Sequence, residues 1–481
     1  MRPHLACTLL FPLAVICIAG SAVCARGADA ATNNEPARVA PLPRTDAHGN
    51  PLRRAPTGHI SNYDESKVGT YVLPDPLVLQ NGQPVRDAKT WFKKRRPELL
   101  TIYDTEIYGR VPANAPKPTF MVVENDTNAL GGFAIHRHVE IRFGKGTNAP
   151  VAHLHMYLPP DATEPVPLLL HIVFFSNPPF PDGTTNAGAA APFRRPGFSE
   201  GGPITNIFAR GYGYATFRYT DIQPDNSNTY HSGVIGLTLK PGPARPKPDE
   251  WGTISAWAWG ASRVLDYLEK DRSVDARRVA LIGHSRLGKT VLVAGARDPR
   301  FALIYSSCAG EMGSSLARRD YGETIDDMAA NFPWQFAGNF QKYSGHWQEK
   351  SPSPPSTPLT RRQKFGEEGG REGGEGQINL PVDTHEIIAL NAPHPVFIGG
   401  GTGDQWSDPR GEFLAEVAAG SVYRLVGRQG LDVTNGPPID TPLINGDLGF
   451  HYHTGGHTIT LSDWNAFLDF ADKYFKSASA K

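Results

Sequence analysis

Short apolar runs without helical period alternate with helical patterns from residue 166 to residue 475, and this alternation constrains the fold more than any other feature of the chain. VPLLLHIVFF (166–175), GYATFRYT (213–220), RVALIG (278–283), HPVFIGGG (394–401) and SVYRLVG (421–427) read as buried strands, rich in β-branched and aromatic residues. Between them, TISAWAWGASRVLDYLEK (253–270) puts Ile254, Trp257, Ala261, Val264, Leu265 and Leu268 on one helical face, and helices are also expected through GEFLAEVAAG and DWNAFLDFADKYF (463–475). Strands alternating with helices predict an α/β fold, a mostly parallel sheet covered on both faces in three layers. Two strictly alternating segments, AIHRHVEIRFG and APVAHLHMYLP, add an antiparallel N-terminal extension. They carry His136, His138, His153 and His155, each pair on one strand face. No cysteine or carboxylate spacing beside them matches a zinc site, so they are read as solvent-facing or packed histidines.

The ends of the chain differ from its middle. Residues 1–30 pair Arg2 with an apolar run from Leu5 to Val23 and end in Ala-Asp-Ala (28–30), the pattern of a signal peptide. Three of the four cysteines lie there, so the exported chain would keep only Cys308 and no internal disulfide. Residues 31–65 lack periodicity and are expected to be a flexible tether. A catalytic domain is expected over 66–478, interrupted at about 348–377 by a disordered Ser/Pro- and Gly/Glu-rich insert. With 48 basic and 48 acidic residues, no long-range field favours nucleic acid or an anionic membrane. A secreted or periplasmic monomer is expected.

Ligands of parallel sheets bind beyond the carboxyl ends of the strands, and there the sequence carries chemistry. RVALIG runs into Gly283-His284-Ser285-Arg286-Leu287-Gly288-Lys289-Thr290, close to the G-x-S-x-G elbow that thrusts a serine out of a sheet, with the second glycine one place late. The same residues spell G-x-x-x-x-G-K-T, a phosphate-loop pattern. Arg286-Leu287 sits where small residues help a backbone wrap phosphate, and an exported chain meets little nucleoside triphosphate, so the serine elbow is preferred.

The chain resembles the glucuronoyl esterases, carbohydrate esterase family 15, of the bacterial type. GHSRLGK (283–289) fits the family pattern G-[CH]-S-R-x-G-K at every fixed position. The likeness extends over about residues 70–475, through LPDPLVLQNGQPV, LPVDTHEIIALNAPHPVF and GGHTITLSDWNAFLDFAD. The resemblance implies an α/β-hydrolase fold, a serine esterase acting between glucuronoyl groups of glucuronoxylan and lignin alcohols, and no metal or other cofactor. It implies Ser285 as nucleophile, Arg286 as oxyanion residue through its amide and guanidinium, His457 as general base, and Lys289, Glu323 and Trp406 as the binders of the glucuronate ring.

The acid is where the chain departs from the pattern. The position that holds a glutamate in many members is Cys308 here, and a thiol cannot balance an imidazolium. Asp404, directly after HPVFIGG, takes the usual α/β-hydrolase position and keeps the chain order Ser, Asp, His. Glu311 and Asp408 are the alternatives. His451 and His453 are read as structural residues or pocket lining. His284, His385 and Trp251, Trp257, Trp259 and Trp334 are read as packing or support. Two further readings stay open: an acetyl or other carbohydrate esterase of the same fold, and a non-catalytic carbohydrate-binding relative.

Overall fold

Alternation within each strand builds the two faces of the sheet. Along Val166–Val173, Leu168, Leu170 and Ile172 enter one core, while Leu169 enters another on the opposite side. Full burial of each such side chain contributes about 1.5–3 kcal/mol. The first core is covered by the helices Thr253–Leu268, Arg286–Arg297 and Pro409–Leu425, the second by Ile204–Ala209 and Leu461–Phe475. The expected three layers are there. The computed structural model describes residues 41–175, 201–242, 244–345 and 379–476. The leader 1–30 and the insert 348–377 lie outside the described residues.

Nine strands are described: β1 (Pro118–Ala129), β2 (Ala134–Phe143), β3 (Val151–Leu158), β4 (Val166–Val173), β5 (Gly213–Arg218), β6 (Val274–His284), β7 (Leu303–Ser307), β8 (Val396–Gly401) and β9 (Leu448–His453). They form one sheet in the order β1-β2-β3-β5-β4-β6-β7-β8-β9. The pairs from β1 to β3, and β3 with β5, are antiparallel; every later pair is parallel. Strands β6, β8 and β9 therefore end on the same side, and loops leaving them can meet there.

Two expectations fail. SVYRLVG is not a strand: Ser421–Leu425 is the last turn and a half of the helix Pro409–Leu425, with Val422 and Tyr423 buried on its inner face. Its β-branched and aromatic content fits either element, and packing decided. Residues 43–65 are no free tether: Ala55 and His59 are buried, Thr57 Oγ1 donates to Asp326 Oδ2 at 2.8 Å, and Glu65 pairs with Arg319 at 2.8 Å. The described residues from Pro43 onward belong to one compact unit. Its attachment is made by scattered polar contacts, which leave no period to read. No described helix is long and apolar enough to cross a membrane.

The four strand histidines pack in a row with Tyr157 across β2 and β3, stacked except for the tilted pair His138–His153. Ring centroids run Tyr157–His136 4.7 Å, His136–His155 5.4 Å, His155–His138 4.5 Å and His138–His153 5.2 Å. Nitrogens meet pairwise, His136 with His155 at 3.2 Å and His138 with His153 at 3.0 Å. Burial, reinforced by the neighbouring imidazoles, pushes His155 down to about 3. A folded-state value below the unfolded one means that the unfolded chain binds the extra proton as pH falls through about 6.5. This contribution is complete above that pH and lost on the way down towards 3. We expect His155→Gln to remove about 2 kcal/mol of the stability difference between pH 7 and pH 5. Urea unfolding of both proteins at the two pH values checks this; an unchanged difference would contradict it. The comparison must be between variants, because burial holds Glu386 and Glu412 at about 8, which tilts the whole molecule the other way.

Candidate active site

Strand β6 ends at His284 and the helix Arg286–Arg297 begins two residues later, so the chain reverses at Ser285 alone. Ser285 sits at φ 58° and ψ −129°, a conformation that costs an L residue on the order of 1–3 kcal/mol. The glycines of the motif allow this turn. A Cβ on Gly283 would lie 2.2 Å from the Leu287 carbonyl oxygen, and one on Gly288 would lie 2.9 Å from the Ala309 Cβ. The second glycine thus serves the packing of the helix on β7, which explains its place one residue late. A one-residue turn also disposes of the phosphate-loop reading. Gly283 and His284 are strand, Arg286 to Thr290 are helix, and no loop remains to wrap a phosphate. The first N–H groups of that helix have no carbonyl within it to bond, so its N-terminus offers donors and a partial positive charge beside Ser285.

Asp404 follows β8, and His457 follows β9. His457 Nδ1 lies 2.7 Å from Asp404 Oδ2, and with the proton on Nδ1 the imidazole donates to the carboxylate. Asp404 is 6% exposed against 41% for the His457 side chain, so the carboxylate is enclosed and the ring reaches the surface. The ring of His284, next to Ser285, packs 4.4 Å from that of His457. The other acids are engaged elsewhere. Asp408 caps the helix Pro409–Leu425 through the Gly411 amide and pairs with Arg319 at 2.8 Å, both side chains 2% exposed. Glu311 is buried near Lys289, Glu323 and Asp383, and burial pushes its carboxyl well above the usual range. Cys308 is buried, its thiol pushed up first by burial and then by Asp404, so it brings no negative charge. His451 and His453 are buried on Asp463 at 2.6 and 2.9 Å.

A second group gathers on the helix flank. Lys289 Nζ donates to the Ala309 carbonyl at 2.7 Å and to Glu323 Oε2 at 3.2 Å; Trp406 Nε1 donates to Glu323 Oε1 at 3.1 Å. Glu323 is thereby fixed by both oxygens. The Arg286 guanidinium donates to Asp225 and lies 5.1 Å over the Phe332 ring. Asp225 in turn accepts from Trp334 Nε1 at 2.7 Å and Gln335 Nε2 at 2.9 Å. Two residues here escape sequence reasoning. Asp225, in the loop after β5, carries no motif. Arg53 lies 4.4 Å over the Trp406 ring, and the aperiodic segment that contains it gives no signal.

Comparison with known proteins bears on this geometry. A family model described as glucuronyl esterase, fungi, matches residues 244–351. The chain is similar to Carbohydrate esterase MZ0003 of an unknown prokaryotic organism, 37% identical over 86% of this chain and 92% of the relative. A solved glucuronoyl esterase from Solibacter usitatus is 38% identical, covers 85% of this chain and 99% of its own, and superposes with a TM-score of 0.73. A 4-O-methyl-glucuronoyl methylesterase of Phanerochaete carnosa is 25% identical over 74% of this chain and 72% of its own.

Proposed function

Because the chain belongs to the glucuronoyl esterases of carbohydrate esterase family 15, α/β-hydrolases that cleave carboxylic esters, we propose that it hydrolyses the ester between a (4-O-methyl-)glucuronoyl group of glucuronoxylan and a lignin alcohol. The observation that carries this reading is the 2.7 Å contact between His457 Nδ1 and Asp404 Oδ2, beyond the strand ends where Ser285 is turned out.

In this mechanism Ser285 Oγ attacks the ester carbonyl while its proton passes to His457 Nε2. Asp404 accepts from Nδ1, keeps the ring in the competent tautomer and stabilises the imidazolium. The oxyanion is met by the amides at the start of the helix Arg286–Arg297 and by the Arg286 guanidinium, which Asp225 steers. A charge-assisted donor is about twice as strong as a neutral one. The imidazolium then protonates the leaving alcohol, and water repeats the sequence on the glucuronoyl-enzyme. Lys289, Glu323 and Trp406 hold sugar hydroxyls and one ring face. Residues 1–30 direct export, and the mature enzyme acts as a monomer in the periplasm or outside the cell.

Arg286→Ala is expected to lower turnover of a glucuronate ester by about 10²–10³ or more, the effect of deleting one strong oxyanion donor. A loss below about threefold would refute the assigned role. The substrate itself is tested by comparing benzyl glucuronate, benzyl galacturonate and acetylated xylan under one set of conditions. The glucuronate ester should be turned over fastest; preference for acetylated xylan would transfer the enzyme to the other esterase reading.

A further inference from the structure

Cys308, Asp404 and His457 bring a thiol, a carboxylate and an imidazole nitrogen together with their ligating atoms all within 4.8 Å of one another. We infer that this trio is a binding site for a zinc-like divalent cation, and that occupancy switches the esterase off. The donors are the ones zinc takes, sulfur, nitrogen and oxygen, with bonds of about 2.0–2.3 Å. A tetrahedron on those bonds sets donors roughly 3.5 Å apart, so a shift on the order of 1 Å closes the site. The protein holds the parts ready. The Cys308 backbone is fixed at φ 47° by its N–H to the Gly399 carbonyl at 2.7 Å, and Asp404 is locked in the turn after β8. Water, or Ser407 Oγ at 3.5 Å from His457 Nδ1, can take the fourth position. The half-exposed imidazole gives the ion a way in.

Balance and consequence follow from the ligands. The thiol releases its proton on binding, and thiolate plus carboxylate neutralise the dication. The ion takes the Nδ1 lone pair, so the proton of a neutral ring must sit on Nε2. That nitrogen then faces the nucleophile as a donor, not as an acceptor, and general-base catalysis stops. The histidine ladder of β2 and β3 offers no equivalent, since its nitrogens meet only in pairs.

Inhibition rests on the proposed esterase reading, whereas binding does not, and the test separates them. Chelator-treated protein is titrated with Zn²⁺ by calorimetry, and glucuronate ester hydrolysis is followed at the same ion concentrations. Wild type should bind and be inhibited. Cys308→Ala should keep its activity without zinc but lose more than about tenfold in both zinc affinity and sensitivity, since outer partners of a metal site alone carry about 10–100-fold. Cys308→Ser should behave alike should the alanine variant fold poorly. Co²⁺ added to wild type should show a thiolate charge-transfer band that is missing in both variants. Equal inhibition of wild type and Cys308 variants, or no site lost in calorimetry, would overturn the inference. Zinc binding without any ester hydrolysis would sink the function and leave the metal site standing.

Discussion

Ser285→Ala should lower turnover of a glucuronate ester by about 10⁴–10⁶ while the protein stays folded, because in the proposed mechanism it removes the nucleophile and leaves only binding and oxyanion stabilisation. The elbow adds a second readout. Ser285 holds φ 58° against its own preference, and glycine populates that region freely. Ser285→Gly should therefore be as inactive as the alanine variant yet more stable, by about 1 kcal/mol. Thermal unfolding measured beside the kinetics checks both parts. A serine variant that keeps a tenth of wild-type turnover would exclude this residue as nucleophile. A glycine variant less stable than wild type would mean that the turn is not strained.

Asp404→Asn should cost about 10³–10⁴ in turnover with little change in stability, since an amide in place of the carboxylate favours the wrong imidazole tautomer and cannot balance its charge. The two competing acids predict different signatures. Burial pushes the Glu311 carboxyl up, which makes it a poor source of negative charge for His457, so Glu311→Gln should leave turnover nearly unchanged. Asp408→Asn takes the partner from a buried Arg319, and losses of this kind run to about 3–5 kcal/mol, so it should unfold easily without a specific kinetic defect. Kinetics and urea unfolding on the three variants separate the roles. If Glu311→Gln were the inactive one, the 2.7 Å contact of Asp404 would be incidental.

The parallel part of the sheet was legible because buried strands and helices differ in length and period, and β4, β5, β6 and β8 each match a run read from sequence. Strands β7 and β9 were not: LIYSS ends in two serines, and LGFHYH has a glycine at its second position and two histidines that are buried on Asp463. The elbow was legible because its glycines are demanded by contacts under 3 Å. The carboxylate partner of His457 was less so. Residue type set Asp404 apart from Cys308, but only geometry shows that the cysteine sits beside the same imidazole and that Asp408 belongs to Arg319. Arg53 over Trp406 joins residues 353 positions apart by one polar–aromatic contact, for which no local pattern exists.

The central claim is that His457, oriented by Asp404, activates Ser285, and a fluorophosphonate reports on it directly. Its phosphorus bonds only to an activated oxygen nucleophile, with loss of fluoride, and peptide mass spectrometry identifies the labelled residue. The account predicts one label per wild-type molecule, on Ser285, with labelling slowed by about 10³-fold or more in His457→Ala and Asp404→Ala. Labelling of wild type at any other residue, or at an undiminished rate in the His457 variant, would contradict it.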